Sequence, residues 1–203
     1  MKLVKTLLAA SLATAMTQTA MAYEEGDIIV RVGAATVMPS DDTGEFGGTK
    51  LEVTENTQLG LTATYMFNKD FGVEVLAATP FNHTVKLEDG TEVATASHLP
   101  PTVSLQYYTK KPMEALQPYA GVGVNYTVFF DEKEKIDGAV NSLDKSFGLS
   151  VSAGLDYAID DHLLLNAAVW YIDIDTETNG GITDGTELEI DPIVWMVGAG
   201  YKF

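Results

Sequence analysis

Apolar residues recur at every second position through long stretches of this chain. At the C-terminus, Ile193, Trp195, Val197, Ala199, Tyr201 and Phe203 alternate with Val194, Met196, Gly198, Gly200 and Lys202. Leu149, Val151, Ala153, Leu155, Tyr157 and Ile159 form a second comb, and Leu59, Leu61, Ala63, Tyr65 and Phe67 a third. Residues two apart share a face in a strand but lie on nearly opposite sides of a helix, so the combs predict strands. Eight such segments can be traced, at about residues 27–38, 56–67, 71–80, 101–109, 117–130, 146–159, 162–175 and 187–203. Short connections (68–70, 110–116 and 160–161) alternate with long ones (39–55, 81–100, 131–145 and 176–186).

An even number of antiparallel strands, with short turns at one end and long loops at the other, is the arrangement of an outer-membrane barrel. A soluble barrel or sandwich also alternates, but its polar face meets water and should be crowded with Lys and Glu. Here that face carries only Arg31, Glu74, Asp156 and Lys202 as charges, amid Gly, Ser, Thr, Gln and Asn. So little charge suits a narrow enclosed interior, with the apolar comb turned to lipid. Aromatic residues gather near strand ends (Tyr65, Phe67, Tyr107, Tyr108, Phe129, Phe130, Tyr171, Tyr201 and Phe203), as interface girdles do. The prediction is an all-β, eight-stranded antiparallel transmembrane barrel.

Residues 1–22 read differently. Lys2 and Lys5 precede an apolar stretch through Leu7, Leu8, Ala9, Ala10, Leu12 and Ala13, and Ala20-Met21-Ala22 has the small-x-small form of a cleavage site. The stretch is too short to span a bilayer, so it predicts a cleaved export signal, with the barrel formed by residues 23–203. The chain carries 29 acids against 12 bases, a net charge of −17, which argues against nucleic acid as a partner. At 46% hydrophobic residues it is not a disordered polyanion. Residues 38–56, 81–99, 131–145 and 173–191 hold 20 of the acids but 5 of the bases, so the charge is concentrated at one end of the barrel. That end is either simply solvated or bridged by divalent cations to lipopolysaccharide.

Several stretches together resemble a known family. They are Asn56-Thr57-Gln58-Leu59-Gly60-Leu61-Thr62, Gly72 through Phe81, Leu99-Pro100-Pro101-Thr102, Pro118 through Thr127, Trp170 through Thr176, and Asp191-Pro192 through Phe203. In this order they resemble the outer-membrane protein W family over essentially all of residues 23–203, whereas 39–55, 131–145 and 177–187 follow it less closely. The resemblance implies an apolar lumen that takes up small hydrophobic molecules, narrowed at Leu76 and Trp170. Separately, the comb that ends in Trp195, Tyr201 and the terminal Phe203 resembles the C-terminal signature recognised by the barrel assembly machinery.

Parity alone puts Leu76 with Glu74, and Trp170 with Asn166, on the inward face, together with Ile29, Leu164, Ile172, Val194 and Met196. Apolar walls favour dewetting, so this is not the lining of a water-filled pore. Two readings remain: a hydrophobic conduit, or a plugged barrel acting in structure or surface recognition through its acidic loops. A soluble lipocalin-type carrier is disfavoured by the charge-poor polar face. Arg31 and Glu74 are expected to pair in the lumen, with Asp156 as the competing acid. Pro80, Pro100, Pro101 and Pro192 withhold N–H groups from the ladder and mark places where the wall should be weakest.

No catalytic role, cofactor or metal is expected. His83, His98 and His162 read as solvated, and Ser97 beside His98 is poorly placed as a triad partner. A Gly-x-Ser-x-Gly nucleophile motif is missing as well. Asp173, Asp175 and Glu177 have the spacing of a calcium loop, but Thr178 occupies the position that needs glycine. The expected partners are outer-membrane lipid and lipopolysaccharide, small hydrophobic solutes and the assembly machinery.

Overall fold

The computed structural model describes residues 22–40, 45–46, 49–109, 115–135, 142–180, 184–185 and 187–203. The expected leader, apart from Ala22, lies outside the described residues. So do 110–114 of one short turn and parts of three long loops.

Eight long strands build the wall: β1 (Ile28–Met38), β2 (Asn56–Met66), β3 (Phe71–Ala78), β4 (Thr102–Tyr108), β5 (Leu116–Glu134), β6 (Ser146–Ala158), β7 (Leu163–Ile172) and β8 (Ile193–Lys202). Each pairs antiparallel with its neighbours in the chain. The last returns to the first in the register Ile29↔Lys202 to Met38↔Ile193, which closes the barrel and removes both sheet edges.

Alternation then divides the side chains. On β7 buried and exposed residues alternate at every position. Large apolar residues from all eight strands are left 37–71% exposed, including Val32, Leu61, Val75, Leu105, Val122, Leu149, Leu165 and Val197. Water would penalise so continuous a patch, and hydrocarbon would not. Among the described residues, no such exposed large apolar side chain falls in 39–58, 76–102, 127–146 or 172–192. The lipid-facing band ends there, and the acidic extensions begin.

Those extensions are more regular than loops. Phe81–Leu87 and Glu92–Leu99 form a hairpin, and the latter also pairs with the upper part of β5 from Val128 to Glu134. Thr49–Val53 adds to the hairpin's other edge, and Asp175–Asn179 pairs with Glu187–Glu189. Two segments expected to be continuous are broken, β7 stopping at Ile172 and β8 starting at Ile193. Pro192 has no N–H to give, and Asp191 takes φ 33°. The Asp191 carboxylate accepts from the Ile174 amide (3.0 Å) and the Tyr171 hydroxyl (2.9 Å), which holds the break.

One glycine pair controls closure. Gly33 on β1 and Gly198 on β8 are register partners. A Cβ on Gly33 would collide with Val197 O, and one on Gly198 with Val32 O, so neither strand can carry a side chain there without backbone movement. Gly198→Val should therefore reduce the fraction of heat-modifiable, folded barrel on unboiled gels, while Ala199→Val, at the neighbouring outward position, should leave it unchanged.

Candidate functional site

At the short-turn end, the lumen is closed by a charged cluster. Arg31 donates from Nε to Asp156 Oδ1 (3.0 Å) and from Nη2 to Asp156 Oδ2 (2.6 Å), a bidentate pair between β1 and β6. Its Nη1 donates to Thr64 Oγ1 (2.9 Å) and lies 3.5 Å from Glu74 Oε2, and Nη2 also donates to the Tyr108 hydroxyl (3.2 Å). Asp156 further accepts from Tyr23 OH (2.6 Å) and Asn166 Nδ2 (2.8 Å). The guanidinium sits 5.1 Å from the centre of the Tyr119 ring. Arg31, Glu74 and Asp156 are all fully buried.

The acid expected to compete is thus the principal partner, and Glu74 is the outlying one. Lys202, on the same polar face, stands at the rim, 3.8 Å from Asp27. Tyr23, Tyr108 and Tyr119 were not among the expected lumen residues, yet Tyr108 was legible. It continues the polar comb Thr102, Ser104, Gln106, so it turns inward, where it is fully buried, rather than joining the girdle with Tyr107. Tyr119 fits because its ring lies over Gly154, where any Cβ would overlap it. Tyr23 precedes the first strand and has no periodic signal.

Beyond this plug the lumen is apolar on one side, while β4, β5 and β6 line the other with buried Thr102, Asn125, Thr127, Ser146 and Ser150. Leu76, Trp170, Ile172, Val194 and Met196 are all buried and belong to one contiguous cluster that also takes in Val37, Ile174 and Ile190. Leu76 and Trp170 approach from β3 and β7, four strands apart and hence on opposite walls. Trp170 Nε1 is buried with no hydrogen-bond partner among the described residues. Trp195, Tyr201 and Phe203 face outward, and the Phe203 amide donates to Ile28 O (2.9 Å), so the terminal residue is tied to the start of β1.

The cluster opens at the far end into a partly open pocket with a cavity volume of about 40 Å³, lined by Ile190, Phe129, Leu51, Val53, His83 and His98 among others. The first two of these also pack in or against the lumen cluster. The expectation of solvated loop histidines fails here. His83 and His98 are 6% and 2% exposed, with ring centres 4.8 Å apart, because the hairpin register puts Phe81, His83 and His98 on its inner face. The signal for this is Phe81, His83, Val85 and Leu87 alternating with Asn82, Thr84 and Lys86. The hairpin stands above the lipid-facing band, and burial lowers the pKa of His83 and takes that of His98 down to about 3, with His83 as a second cause. Ser97 faces the other way and donates to Asn82 Oδ1 (2.7 Å). His162 alone is solvated, stacked on Tyr201.

Beside the apolar column the wall has a seam. The β3–β4 ladder ends at Leu76↔Thr102, and pairing resumes only at Phe81↔His98. Between them, residues 77–80 face 99–101 with Pro80, Pro100 and Pro101 in the seam, while both sides stay bonded to their outer neighbours (Thr79 N to Leu59 O, Tyr126 N to Pro101 O). At the rim, Asp173, Asp175 and Asp191 bring carboxylate oxygens within 4.8 Å of one another, whereas Glu177 stands apart. Burial first, then these neighbouring acids, raises the pKa of Asp175.

A closed eight-stranded barrel with lipid-facing walls, short turns at one end and acidic extensions at the other is a transmembrane protein of the bacterial outer membrane. The OmpW family model matches residues 24–203, and the chain belongs to that family. It is 42% identical over 197 residues to outer membrane protein W of Vibrio cholerae, covering 90% of this chain and 91% of that one. Against outer membrane protein W of Escherichia coli K12 it is 41% identical over 210 residues, covering 98% of each. The crystal structure of the outer membrane protein OprG from Pseudomonas aeruginosa matches with TM-score 0.78 and 43% identity, over 90% of this chain and 98% of that one. These relatives are outer-membrane barrel proteins, and the chain is located in the Gram-negative outer membrane, surrounded by lipid and lipopolysaccharide.

Removing one member of a buried ion pair costs about 3–5 kcal/mol because the other charge is stranded. Arg31→Met should destabilise the barrel by that order in urea unfolding from lipid vesicles. Adding Asp156→Asn should recover more of the loss than adding Glu74→Gln, since the bidentate partner is the charge left most exposed to the deficit.

Proposed function

We propose that this barrel is a passive conduit for small hydrophobic molecules, which enter at the outer pocket and leave sideways into the bilayer. The observation that carries this reading is a column of contiguous buried apolar side chains along one side of the lumen, running inward from the pocket to the Arg31–Asp156 plug. A solute that has entered such a column has no apolar way forward into the periplasm, while the seam at Pro80, Pro100 and Pro101 lies beside it. Each methylene kept out of water is worth about 0.8 kcal/mol, so lateral release gains over release into periplasmic water with every carbon of the solute.

In this reading Leu76 and Trp170 are the narrow point of the path, with Ile172, Val194 and Met196 as its walls. Arg31, Glu74 and Asp156 seal its base. Residues 1–22 serve as the cleaved export signal, and Trp195, Tyr201 and Phe203 serve assembly rather than transport. The acidic rim keeps the mouth hydrated amid lipopolysaccharide. The protein transforms no substrate; it lowers the barrier to crossing the polar lipopolysaccharide layer.

A charge placed in the column would be buried among apolar side chains and would exclude apolar solutes. Trp170→Asp and Leu76→Lys should each lower cellular uptake of a long n-alkane towards that of cells lacking the protein, with heat-modifiable barrel still present in the outer membrane. If both variants assemble and take up the alkane at the unmutated rate, the barrel is a plugged one acting through its surface.

A further inference from the structure

The outer pocket contains two polar atoms that neither the fold nor the apolar column uses. His83 Nε2 and His98 Nε2 are buried and have no hydrogen-bond partner among the described residues. They belong to the two polar residues of a lining whose other eight are aliphatic or aromatic, among them Leu51, Val53, Phe129 and Ile190. Buried polar atoms are nearly always satisfied, so two left without partners on residues that line an apolar pocket mark a place where a ligand can supply the partner.

The ring of His83 specifies which partner. Its Nδ1 contacts Thr54 O, and a carbonyl can only accept, so Nδ1 carries the proton. In the neutral ring that burial favours, Nε2 is then a lone-pair acceptor and requires a donor from the ligand. A carboxylate has none to offer, and it would bring a charge into an apolar site. An ammonium group donates but carries the same desolvation cost. A metal ion would find two nitrogens and no carboxylate or thiolate in the lining, short of a usual ligand set. A hydroxyl meets the requirement: it is neutral, donates to His83 Nε2, and keeps lone pairs with which to accept from His98 should that ring present a proton. The pocket is also slender. Its cavity volume of about 40 Å³ suits an unbranched chain rather than a branched or cyclic one.

We propose that the outer pocket selects, among hydrophobic solutes, linear aliphatic molecules bearing a terminal hydroxyl, held by donation to His83 Nε2 with the chain lying towards Phe129 and Ile190. This rests on the reading of the mouth as the entry point for apolar solutes and names the class it prefers. A neutral hydrogen bond made in such a site corresponds to about a fivefold gain in affinity over the same chain without the hydroxyl.

The test uses the full-length barrel in lipid nanodiscs, labelled with 15N at histidine and 13C at isoleucine and valine methyls, titrated with 1-octanol or n-octane at matched thermodynamic activity. The expected result is that both solutes shift the Ile190 and Val53 methyls, that 1-octanol half-saturates at about fivefold lower activity, and that only 1-octanol moves the unprotonated nitrogen resonance of His83. His83→Phe should bring the two solutes to equal affinity without weakening n-octane. Equal affinities in the unmutated protein with no movement of the His83 nitrogen would overturn the hydroxyl preference and leave the conduit intact. Methyl resonances unmoved by either solute would overturn both. If His83→Phe does not fold, the nitrogen resonance of the unmutated protein decides alone.

Discussion

In hydrocarbon a backbone N–H or C=O has no water to turn to, and this constraint organises the rest of the molecule. Eight strands satisfy it by closing on themselves, β8 onto β1, through a ladder that admits no side chain at Gly33 or Gly198. Closure sends every second residue inward, and an eight-stranded barrel has room inside for little beyond side chains. A charge placed there has to find its counter-charge inside as well. Arg31 does so by gathering Asp156, Glu74, Thr64 and Tyr108 around a single guanidinium. The seam between 77–80 and 99–101 lies at the upper limit of the exposed apolar band, where the demand for backbone pairing relaxes.

The interior is thereby split into two media. The lower part is ionic and aromatic, cross-linked by hydrogen bonds between strands far apart in the chain, and it gives the barrel a rigid floor. The upper part has an apolar side, joined to the outer pocket through Ile190 and Phe129, facing the uncharged polar residues of β4–β6. A water-filled pore would need polar walls all round along its whole length, and the apolar side formed by Leu76, Trp170, Ile172, Val194 and Met196 denies it that. In the proposed conduit, this division is what directs an apolar solute towards the wall rather than the floor. Family membership, over residues 24–203, concerns the scaffold on which this division is built.

Much of this was legible in the sequence, and the failures have identifiable causes. Period two puts Leu76, Trp170, Ile172, Val194 and Met196 inside without any structural knowledge, because register in a closed barrel leaves each residue only two faces. It does not say which inward residues meet. Arg31 finds Asp156 across the lumen, from β1 to β6, and that depends on the stagger of the strands rather than on any spacing in the chain. The break before β8 depends on Asp191 folding its carboxylate back onto Ile174 and Tyr171, of which only Pro192 gives a hint. The histidine pair escaped for a different reason. The alternation that defines the wall continues through 81–87, above the membrane, where length and acidity alone suggest an irregular loop.

Lateral release depends on the seam. Replacing Pro100 and Pro101 together by valine restores two N–H donors, one on each side of the strand. The Pro101 carbonyl faces Tyr126 on β5, so the donor at 100 is the one that faces residues 77–80 and can extend the β3–β4 ladder towards the hairpin. Alkane uptake by cells expressing this double variant is the most direct measurement, taken alongside amide hydrogen exchange at the two new valines to establish that they are bonded. Lateral release predicts protected amides, a normally assembled barrel and uptake reduced towards that of cells without the protein. Protected amides with uptake at the unmutated rate would show that the solute does not leave through this part of the wall.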